Sequence, residues 1–254
     1  MDIDVNSSFS VVIPTANRPE AVVEAIRCVL GQSLKPSEII VVDNGVEALS
    51  LPSHPMVRLV RAKPNIGPGN ARNMGAEVAV AEYVAFLDDD DSWLPNYLEE
   101  VARTIDETSA DVVLGSLMRK FSNEAPIPYK LFPASIGEQR QVYYRNPGFG
   151  GQNLTIKRSV LLGLGGFDGS MPASEDRDLA ARLLESSRHL VSCKSAIAIL
   201  HDHEGPRARL RQVEGNLLFI KKHWRQMTMI ERFKALSTVA KRWTSVRFGR
   251  SSYG

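Results

Sequence analysis

The chain has 254 residues, of which 43% are hydrophobic and 24% are charged, and this composition excludes a disordered or fibrous protein. Its two cysteines, Cys28 and Cys193, are far apart and form no CxxC or Cys/His pattern, which excludes a disulfide framework and favours free thiols in a reducing compartment. The net charge of +2 conceals an acidic body, with 19 Lys/Arg against 25 Asp/Glu over residues 1–200, and a basic end, with 12 against 4 over residues 201–254.

The opening residues and the apolar runs bear on cellular location. The opening MDIDVNSSFS is acidic and polar, whereas a secretory leader begins with basic residues and continues with an apolar core. The longest apolar runs, such as YVAFL, have the length of strands and not of membrane-spanning helices. We therefore expect a cytoplasmic protein.

The first half of the chain alternates between strand and helix patterns. Apolar spacing and the bounding Pro and Gly residues predict, in chain order, strand 9–14, helix 19–30, strands 37–45 and 56–62, helix 70–80 and strand 82–87. This order is typical of an α/β domain with a mostly parallel central sheet flanked by helices. Ligands of such sheets bind beyond the carboxyl ends of the strands. Three polar clusters follow strand ends: Thr15, Asn17 and Arg18; Asp43 and Asn44; and Asp88 to Asp91.

The second half of the chain is less regular. We predict, in chain order, helix 94–105, strand 111–121, a strand at NLTIKRS (153–159), helix 175–186, strand 195–200 and a helical segment from Pro206 to the end. Residues 122–147 contain four prolines and little periodicity, and we interpret them as a loop over the edge of the sheet.

Four consecutive aspartates, Asp88 to Asp91, follow the strand at 82–87. Like charges repel one another, and a helix N-terminus needs only one or two acids. Carboxylates at one strand end suit a hard cation such as Mg²⁺ or Mn²⁺, and Mg²⁺ typically uses one or two of them together with water and phosphates. Asp88 and Asp90 converge if the backbone stays extended. We predict a metal site here.

The segment NIGPGNARNMG (65–75) places two glycines before a predicted helix. Glycine lets backbone amides approach a phosphate at the positive end of a helix. Gly67 and Gly69 fit the start of the GxGxxG fingerprint, but Arg72 occupies the third glycine position, which argues against a dinucleotide site. Arg72 is placed to contact a phosphate or the acidic cluster, and the alternative is a glycine-rich turn with Arg72 in solvent.

Glu175 and Asp176 begin a predicted helix, and His201 and His203 follow a predicted strand. Acids are frequent at helix N-termini for electrostatic reasons, so the Glu-Asp pair alone is equally typical of helix capping. The two histidines point in opposite directions if the strand continues, so only one of them faces a given site. Either histidine is a candidate metal ligand, and the alternative is a pair of surface histidines.

Five segments together resemble one family. PTANRP, IIVVDNG, the block from NIGPGN to SWLP, GGFD and SEDRDLAARL occur in the order typical of the inverting glycosyltransferases of family 2. The similarity covers about residues 9–205. It implies the GT-A fold, a Rossmann-like nucleotide-diphospho-sugar transferase domain over residues 1–225. The nucleotide-binding part would be about 9–120 and the acceptor part about 121–205.

The resemblance also implies roles on the donor side. Asp43 matches the aspartate that holds the base or ribose of the nucleotide, and the backbone of Pro14 and Thr15 lines the same pocket. Asp88 and Asp90 match the DxD pattern that binds the diphosphate through a divalent cation, Mn²⁺ or Mg²⁺. Asp90 would be the direct ligand, and Asp88 would lie nearer the ribose. Asp89 is the variable position of the DxD pattern, so we expect it to tolerate replacement.

On the acceptor side, Asp176 matches the aspartate that serves as general base. His203 aligns with a late histidine that contacts the metal or the diphosphate. Many relatives have VVDDGS where this chain has VVDNGV, so Asn44 replaces an acid beside the nucleobase. The remaining candidates for substrate binding are Asn17, Arg18, Asn65, Gly67, Arg72 and Glu175.

The resemblance implies metal-dependent, inverting transfer of a sugar from a nucleotide-diphospho-sugar, with a UDP-sugar favoured, to a hydroxyl of a glycan or lipid-linked acceptor. Two alternatives stay open. A sugar-1-phosphate nucleotidyltransferase would need a glycine-rich loop directly after the first strand, where this chain has PTANRP. A nucleotide- or glycan-binding module without catalysis would need none of the acids in a reactive position.

We predict that residues 226–254 form a basic, amphipathic and helical C-terminal tail, because aromatic and aliphatic residues are interleaved with Lys and Arg. Such segments lie in membrane interfaces and are drawn to anionic lipid. We weigh two interpretations: the tail binds the inner face of the cell membrane, or it packs on the domain with its basic face in solvent. Nucleic-acid binding is not expected, because the body is acidic and contains no recognition module.

Overall fold

A computed structural model describes residues 7–121, 124–202 and 209–248. The first half of the chain folds as predicted, with boundaries that differ by at most two residues. Its elements are β1 (Phe9–Thr15), α1 (Pro19–Leu30), β2 (Glu38–Asp43), β3 (Val57–Arg61), α2 (Pro68–Val78) and β4 (Tyr83–Phe86).

The second half contains more elements than the sequence pattern predicts. They are β5 (Ser92–Trp93), α3 (Tyr97–Thr108), β6 (Val112–Phe121), β7 (Ile127–Lys130), α4 (Ile136–Gln139), β8 (Leu154–Lys157), α5 (Arg158–Gly163), α6 (Glu175–Glu185), β9 (Leu190–Asp202), α7 (Arg209–His223) and α8 (Met229–Phe248). Short 3-10 turns at 140–143 and 151–153 connect some of them.

The described strands form one sheet in the order β3-β2-β1-β4-β8-β6-β9-β5, with β7 attached to β6. Strands β1 to β4 are parallel, β8 runs antiparallel between β4 and β6, and β9 is parallel to β6. The mostly parallel sheet that the sequence predicts is therefore confirmed for six of the nine described strands, and β5, β7 and β8 run antiparallel to them. The carboxyl ends of β1 and β4 are neighbours, which brings Thr15 close to the aspartate run.

Both faces of the sheet are covered, because alternate strand residues enter two separate apolar clusters. Val12 and Ile40 belong to one cluster, and Val11 and Ile39 belong to the other. All four side chains are fully buried. Continuous apolar strands of this kind are typical of sheets with helices on both sides.

The segment 122–147 is not the loop that we predicted from its prolines. Strand β7 pairs antiparallel with β6, and Phe132, Val142 and Tyr143 are buried in the core. The elements are too short for a helical or strand period to be visible in the sequence. Pro128 is compatible with β7 because this strand pairs on one side with β6.

The C-terminal helical segment is two helices and not one. Helix α7 is fixed to α6 through the buried carboxylate of Asp178, which lies 2.8 Å from His223 Nε2, Lys222 Nζ and Arg182 Nε. Burial acts to raise the pKa of Asp178, but these partners outweigh burial and lower it below its usual value. Both cysteines are free thiols, as predicted.

One glycine controls how closely α2 approaches the sheet. A Cβ atom added at Gly75 would lie 2.4 Å from Cγ1 of Val12 on β1, which is closer than real Cβ contacts. We predict that Gly75→Ala lowers the free energy of unfolding by about 1–3 kcal/mol, the usual cost of overpacking. Urea denaturation measures this directly.

The matched control is Gly163→Ala in α5, where an added Cβ meets nothing within 4 Å. Alanine is the better helix former, so this variant should be as stable as the wild type or more stable. Equal stability of the two variants would contradict the packing of α2 against β1.

Candidate active site

A cleft of about 650 Å³ lies beyond the carboxyl ends of β1 and β4. The start of α6, the segment 144–152 and helix α8 close it from the other side. Of the predicted site residues, the cleft brings together Pro14, Thr15, Arg18, Arg72, Asp88, Asp90, Glu175 and Asp176.

The aspartate run makes a turn and does not continue the strand. The backbone N–H of Asp91 donates to the carbonyl of Asp88 (3.2 Å), so the backbone does not stay extended, which was the condition for the predicted convergence. Asp88 and Asp90 nevertheless both line the cleft, each with a side chain that is 25% exposed. The turn therefore brings the Asp88 and Asp90 carboxylates to the same cleft, as predicted for an extended backbone.

Asp89 is the most buried of the four aspartates, which argues against the tolerance to replacement that we expected. Its carboxylate accepts hydrogen bonds from Thr15 Oγ1 (2.6 Å) and Arg18 Nη1 (3.0 Å). Burial raises the pKa of Asp89 above its usual value, and the bonds from Thr15 and Arg18 oppose this rise. Asp89 therefore ties the aspartate turn to the end of β1.

Arg18 bridges two of the acids at the mouth of the cleft. Its Nη1 atom lies 3.0 Å from Asp89 Oδ1 and 2.7 Å from Asp90 Oδ2. The Arg18 side chain is 52% exposed, so solvent screens this ion pair and limits its contribution to stability. Arg18 is therefore a solvent-screened counter-charge for Asp90, and it is also the cation that pairs with the buried Asp89.

Arg72 is the buried counter-charge of the site. Its side chain is 6% exposed, and Nη2 lies 2.5 Å from Asp88 Oδ1 while Nη1 lies 3.3 Å from Glu175 Oε1. Burial acts to lower the pKa of Arg72, but Asp88 and Glu175 outweigh it and raise the pKa above its usual value. The contact with the acidic cluster that the sequence predicts is confirmed.

The Arg72 side chain packs against the backbone of Gly151 and leaves no room for a larger residue there. A Cβ atom at Gly151 would lie 2.5 Å from the guanidinium carbon of Arg72. The guanidinium also lies 5.4 Å from the ring centre of Phe167, within the range of a cation–π contact. Gly151 and Phe167 thus hold the plane of Arg72 between the two acids.

Asp176 has the properties of a base. Burial, followed by the neighbouring charge of Glu175, raises its pKa to about 6. Its two oxygens accept hydrogen bonds from Asn146 Nδ2 (3.0 Å) and from the backbone N–H of Arg177 (2.7 Å). These bonds stabilise the ionised form, so the carboxylate remains deprotonated at neutral pH while being a stronger base than an exposed aspartate.

A second cavity of about 540 Å³ adjoins the cleft and contains Asn17 and Asp43. The carboxylate of Asp43 accepts hydrogen bonds from the backbone N–H groups of Gly45 and Leu49 (both 2.9 Å) and from Arg61. Asp43 thereby shapes the wall of this cavity. Its role in nucleotide binding stays a prediction.

Asn65 and Gly67 do not line either cavity. Both have a positive φ, and Gly67 precedes the first residue of α2. The backbone N–H of Asn65 donates to the carbonyl of Asn44 (2.9 Å), so this turn positions the end of β2. Asn44, the departure from the family pattern, lines the cleft and donates its side-chain amide to the carbonyl of Thr15 (2.8 Å).

Of the two candidate histidines, the structure describes His201 but not His203. His201 accompanies the aspartate run, because its backbone N–H donates to Asp91 Oδ1 (3.1 Å) and its Nε2 lies 2.8 Å from Ser92 Oγ. His203, the predicted metal ligand, lies outside the described residues. Its role stays a prediction.

Several cleft residues were missed by the sequence analysis. Asn146 lies at the end of the segment 122–147, for which the sequence predicts a loop, and it has no sequence signal of its own. Gly151 follows that segment, and its only signal is the glycine-rich run GFGGQN (148–153). Thr238 and Arg242 come from α8, in the tail that we treated as separate. No sequence pattern connects α8 with the cleft, because the contact is purely tertiary.

The donor set of the cleft fits a divalent cation of the Mg²⁺ type. Within residues 7–121, 124–202 and 209–248, no group of three or more His, Cys, Asp or Glu side chains is arranged to hold a metal ion. Mg²⁺ sites, however, typically use one or two carboxylates and take the other ligands from water and phosphate. Asp88 and Asp90 supply such a pair at the cleft surface.

A family model described as glycosyl transferase family 2 matches residues 10–164. The chain belongs to glycosyl transferase family 2. The match includes Arg72 and the whole aspartate run, and it ends before Glu175 and Asp176. Family membership favours glycosyl transfer over the nucleotidyltransferase alternative.

Curated relatives carry related names. The chain is 29% identical to succinoglycan biosynthesis protein ExoO of Rhizobium meliloti over 84% of its length, and 27% identical to the colanic acid biosynthesis glycosyl transferase WcaA of Escherichia coli over 86%. It covers 82% of WcaA and 66% of ExoO. It spans 62% of a Haemophilus influenzae glycosyltransferase that is 26% identical over 70% of this chain. The matched part of the chain thus spans less than two thirds of the length of the Haemophilus influenzae relative and of ExoO.

The fold is similar to that of S. aureus TarS 1-349 in complex with UDP-GlcNAc. The TM-score is 0.67 at 20% identity, covering 94% of this chain and 73% of that one. This similarity, together with the curled sheet flanked by helices, confirms the predicted GT-A fold.

The pKa of Asp176 gives a test of the site that needs no substrate. We predict that Asn146→Ala raises this pKa by about one unit, because the ionised carboxylate loses a hydrogen-bond donor. Carboxyl ¹³C NMR titration measures it, and the spectrum of Asp176→Asn assigns the resonance.

The control variant is Asn96→Ala, which removes an asparagine that precedes α3 and lies outside the cleft lining. It should leave the titration midpoint of Asp176 near 6. An Asp176 that titrates like an exposed aspartate in the wild type would contradict the described environment of this carboxylate.

Proposed function

We propose that this chain transfers a sugar from a nucleotide-diphospho-sugar to a hydroxyl group of a glycan or lipid-linked acceptor, with inversion at the anomeric carbon. One observation carries the proposal. The base-like carboxylate of Asp176 and the paired carboxylates of Asp88 and Asp90 line the same cleft, and Arg72 connects the two groups through Glu175.

The donor side is the end of β1 and the aspartate turn. A UDP-sugar is the favoured donor, because the fold is similar to a protein whose structure contains UDP-GlcNAc. We place the base and ribose near the second cavity and the diphosphate near Asp88 and Asp90. Asn44 faces this region in place of the acid that many relatives have, so it is the residue to test for base preference.

The leaving diphosphate needs positive charge. Asp90, with Asp88, would hold Mn²⁺ or Mg²⁺, and the cation would stabilise the negative charge that develops on the β-phosphate. The binding of a cation and phosphates competes with Arg18 for Asp90. Solvent screens the contact of the half-exposed Arg18 with Asp90, so this contact would be lost at little cost, while Arg18 can keep its contact with the buried Asp89.

The acceptor side is formed by Asp176 and the residues around it. Asp176 takes the proton of the acceptor hydroxyl as the oxygen attacks the anomeric carbon from the side opposite the diphosphate. A base with a pKa of about 6 is ionised at pH 7 and is matched to this task. Asn146 and the backbone of Arg177 orient the carboxylate.

The names of the relatives support one class of acceptor. ExoO and WcaA are named for the biosynthesis of succinoglycan and colanic acid. We therefore propose that the acceptor is an intermediate of a polysaccharide. The exposed Arg145 and Arg242 line the cleft together with Asp176, which suits an acceptor that carries negative charge.

The test is Asp176→Asn, assayed with a panel of UDP-sugars in the presence of Mn²⁺. The assay follows the release of UDP, with water in place of the unknown acceptor. We predict that turnover falls by roughly 10² or more, the contribution of a general base. UDP binding, measured by calorimetry, should be unchanged because Asp176 lies on the acceptor side.

Asp106→Asn is the matched control, since Asp106 is an exposed aspartate on α3 away from the cleft. It should keep both turnover and UDP binding. Normal turnover in Asp176→Asn would refute the assignment of the base. Loss of UDP binding in that variant would instead place Asp176 on the donor side.

A further inference from the structure

Helix α8 has two faces of different character, and one of them packs on the catalytic domain. Glu231 and Ala235 are buried, and Glu231 Oε2 lies 2.6 Å from Arg140 Nη2. Thr238 and Arg242 line the cleft. These residues are three or four positions apart, so they form one stripe along the helix.

The opposite face of α8 presents large apolar side chains to solvent. Met229 and Phe233 are each 75% exposed, Leu236 is 47% exposed and Trp243 is 51% exposed. At the helical repeat of 3.6 residues per turn these four positions fall within an arc of about 80°, centred roughly opposite the packed stripe. We call these four residues the outer face of α8.

Basic side chains of α8 lie on both sides of the outer face. Between residues 221 and 248 the sequence has eight Lys and Arg and a single acid, Glu231. That acid is paired with Arg140 on the packed side. At the helical repeat, Arg232 lies about 20° from Trp243 at one edge of the apolar arc, and the exposed Lys234 and Lys241 lie about 80–100° beyond the other edge. Lys234 Nζ is 4.8 Å from the ring centre of Tyr144. The surface around the outer face is therefore positive without compensation by nearby acids of the same helix.

We propose that the outer face of α8 docks into the interface of a membrane that contains anionic lipid. Exposed apolar and aromatic residues flanked by Lys and Arg fit this partner, because the apolar side chains enter the acyl boundary while the cations contact headgroups. None of the helices in the described part of the chain is long and apolar enough to span a membrane. The helix therefore lies in the plane of the interface.

Docking by this face has a consequence for the cleft. Thr238 and Arg242, on the packed side of α8, line the cleft, while the outer face contacts lipid. A helix is about 10 Å across, so the cleft would lie roughly that far from the headgroups. Resting on the proposed function, this geometry suits an acceptor whose lipid anchor stays in the bilayer.

The docking itself is tested without catalysis. The full chain is sedimented with vesicles of phosphatidylcholine alone or mixed with phosphatidylglycerol. We expect binding to the mixed vesicles that weakens as salt is added, since the headgroup contacts are electrostatic. The double variant Phe233→Gln/Leu236→Gln should bind at least tenfold more weakly, as two buried apolar side chains are lost.

The matched control is Leu59→Gln/Val80→Gln, which removes two exposed apolar side chains far from α8 in sequence. It should bind vesicles like the wild type. Both double variants should keep the wild-type melting temperature and rate of UDP release. A failure of the proposed catalytic function would thus appear in UDP release, and a failure of docking in sedimentation.

Tryptophan fluorescence gives a second readout. The chain has three tryptophans, of which Trp93 is buried while Trp224 and Trp243 are 39% and 51% exposed. We expect a blue shift with anionic vesicles that Trp243→Phe reduces. Equal sedimentation of wild type and Phe233→Gln/Leu236→Gln would overturn the proposal. So would a dimer, seen by light scattering, that depends on Phe233 in a chain that does not bind vesicles.

Discussion

The ion pairs of Arg72 are the interaction on which the site depends. This buried guanidinium joins Asp88, at the end of the β1–β4 half of the sheet, to Glu175, at the start of α6. Removing one partner of such a pair typically costs about 3–5 kcal/mol, because a buried charge is left unpaired. The absence of a side chain at Gly75 lets α2 approach the sheet, and its absence at Gly151 leaves room for the Arg72 guanidinium. The ring of Phe167 packs against this guanidinium.

Two arginines balance the acids of the cleft in different ways. Arg72 is buried and acts as a fixed part of the framework, whereas Arg18 is half exposed and pairs with Asp89 and Asp90 at the surface. The repulsion within the aspartate run is thereby offset before any ligand binds. Asp89 contributes to the framework through Thr15, and Asp88 and Asp90 remain at the cleft surface. A cation with a nucleotide diphosphate would take over the place of Arg18.

Much of the first half could be predicted from the sequence, because Pro19, Gly31 and the apolar runs mark elements long enough to show a period. The family blocks located the aspartate run and the Glu-Asp pair. The role of Asp89 escaped prediction because it depends on a turn, and Asn146 because its segment folds into short elements without a period. The entry of α8 into the cleft escaped prediction because a basic amphipathic helix has the same pattern on a membrane and on a domain.

We propose above all that the aspartate run binds a cation together with a nucleotide diphosphate. Calorimetric titration of UDP tests it most directly, with the wild type in Mn²⁺, the wild type in EDTA, and Asp90→Ala in Mn²⁺. The account predicts binding in the first case and at least tenfold weaker binding in the other two, as expected when a charge-stabilised contact is lost. Equal affinity in all three, with an unchanged melting temperature for Asp90→Ala, would contradict it.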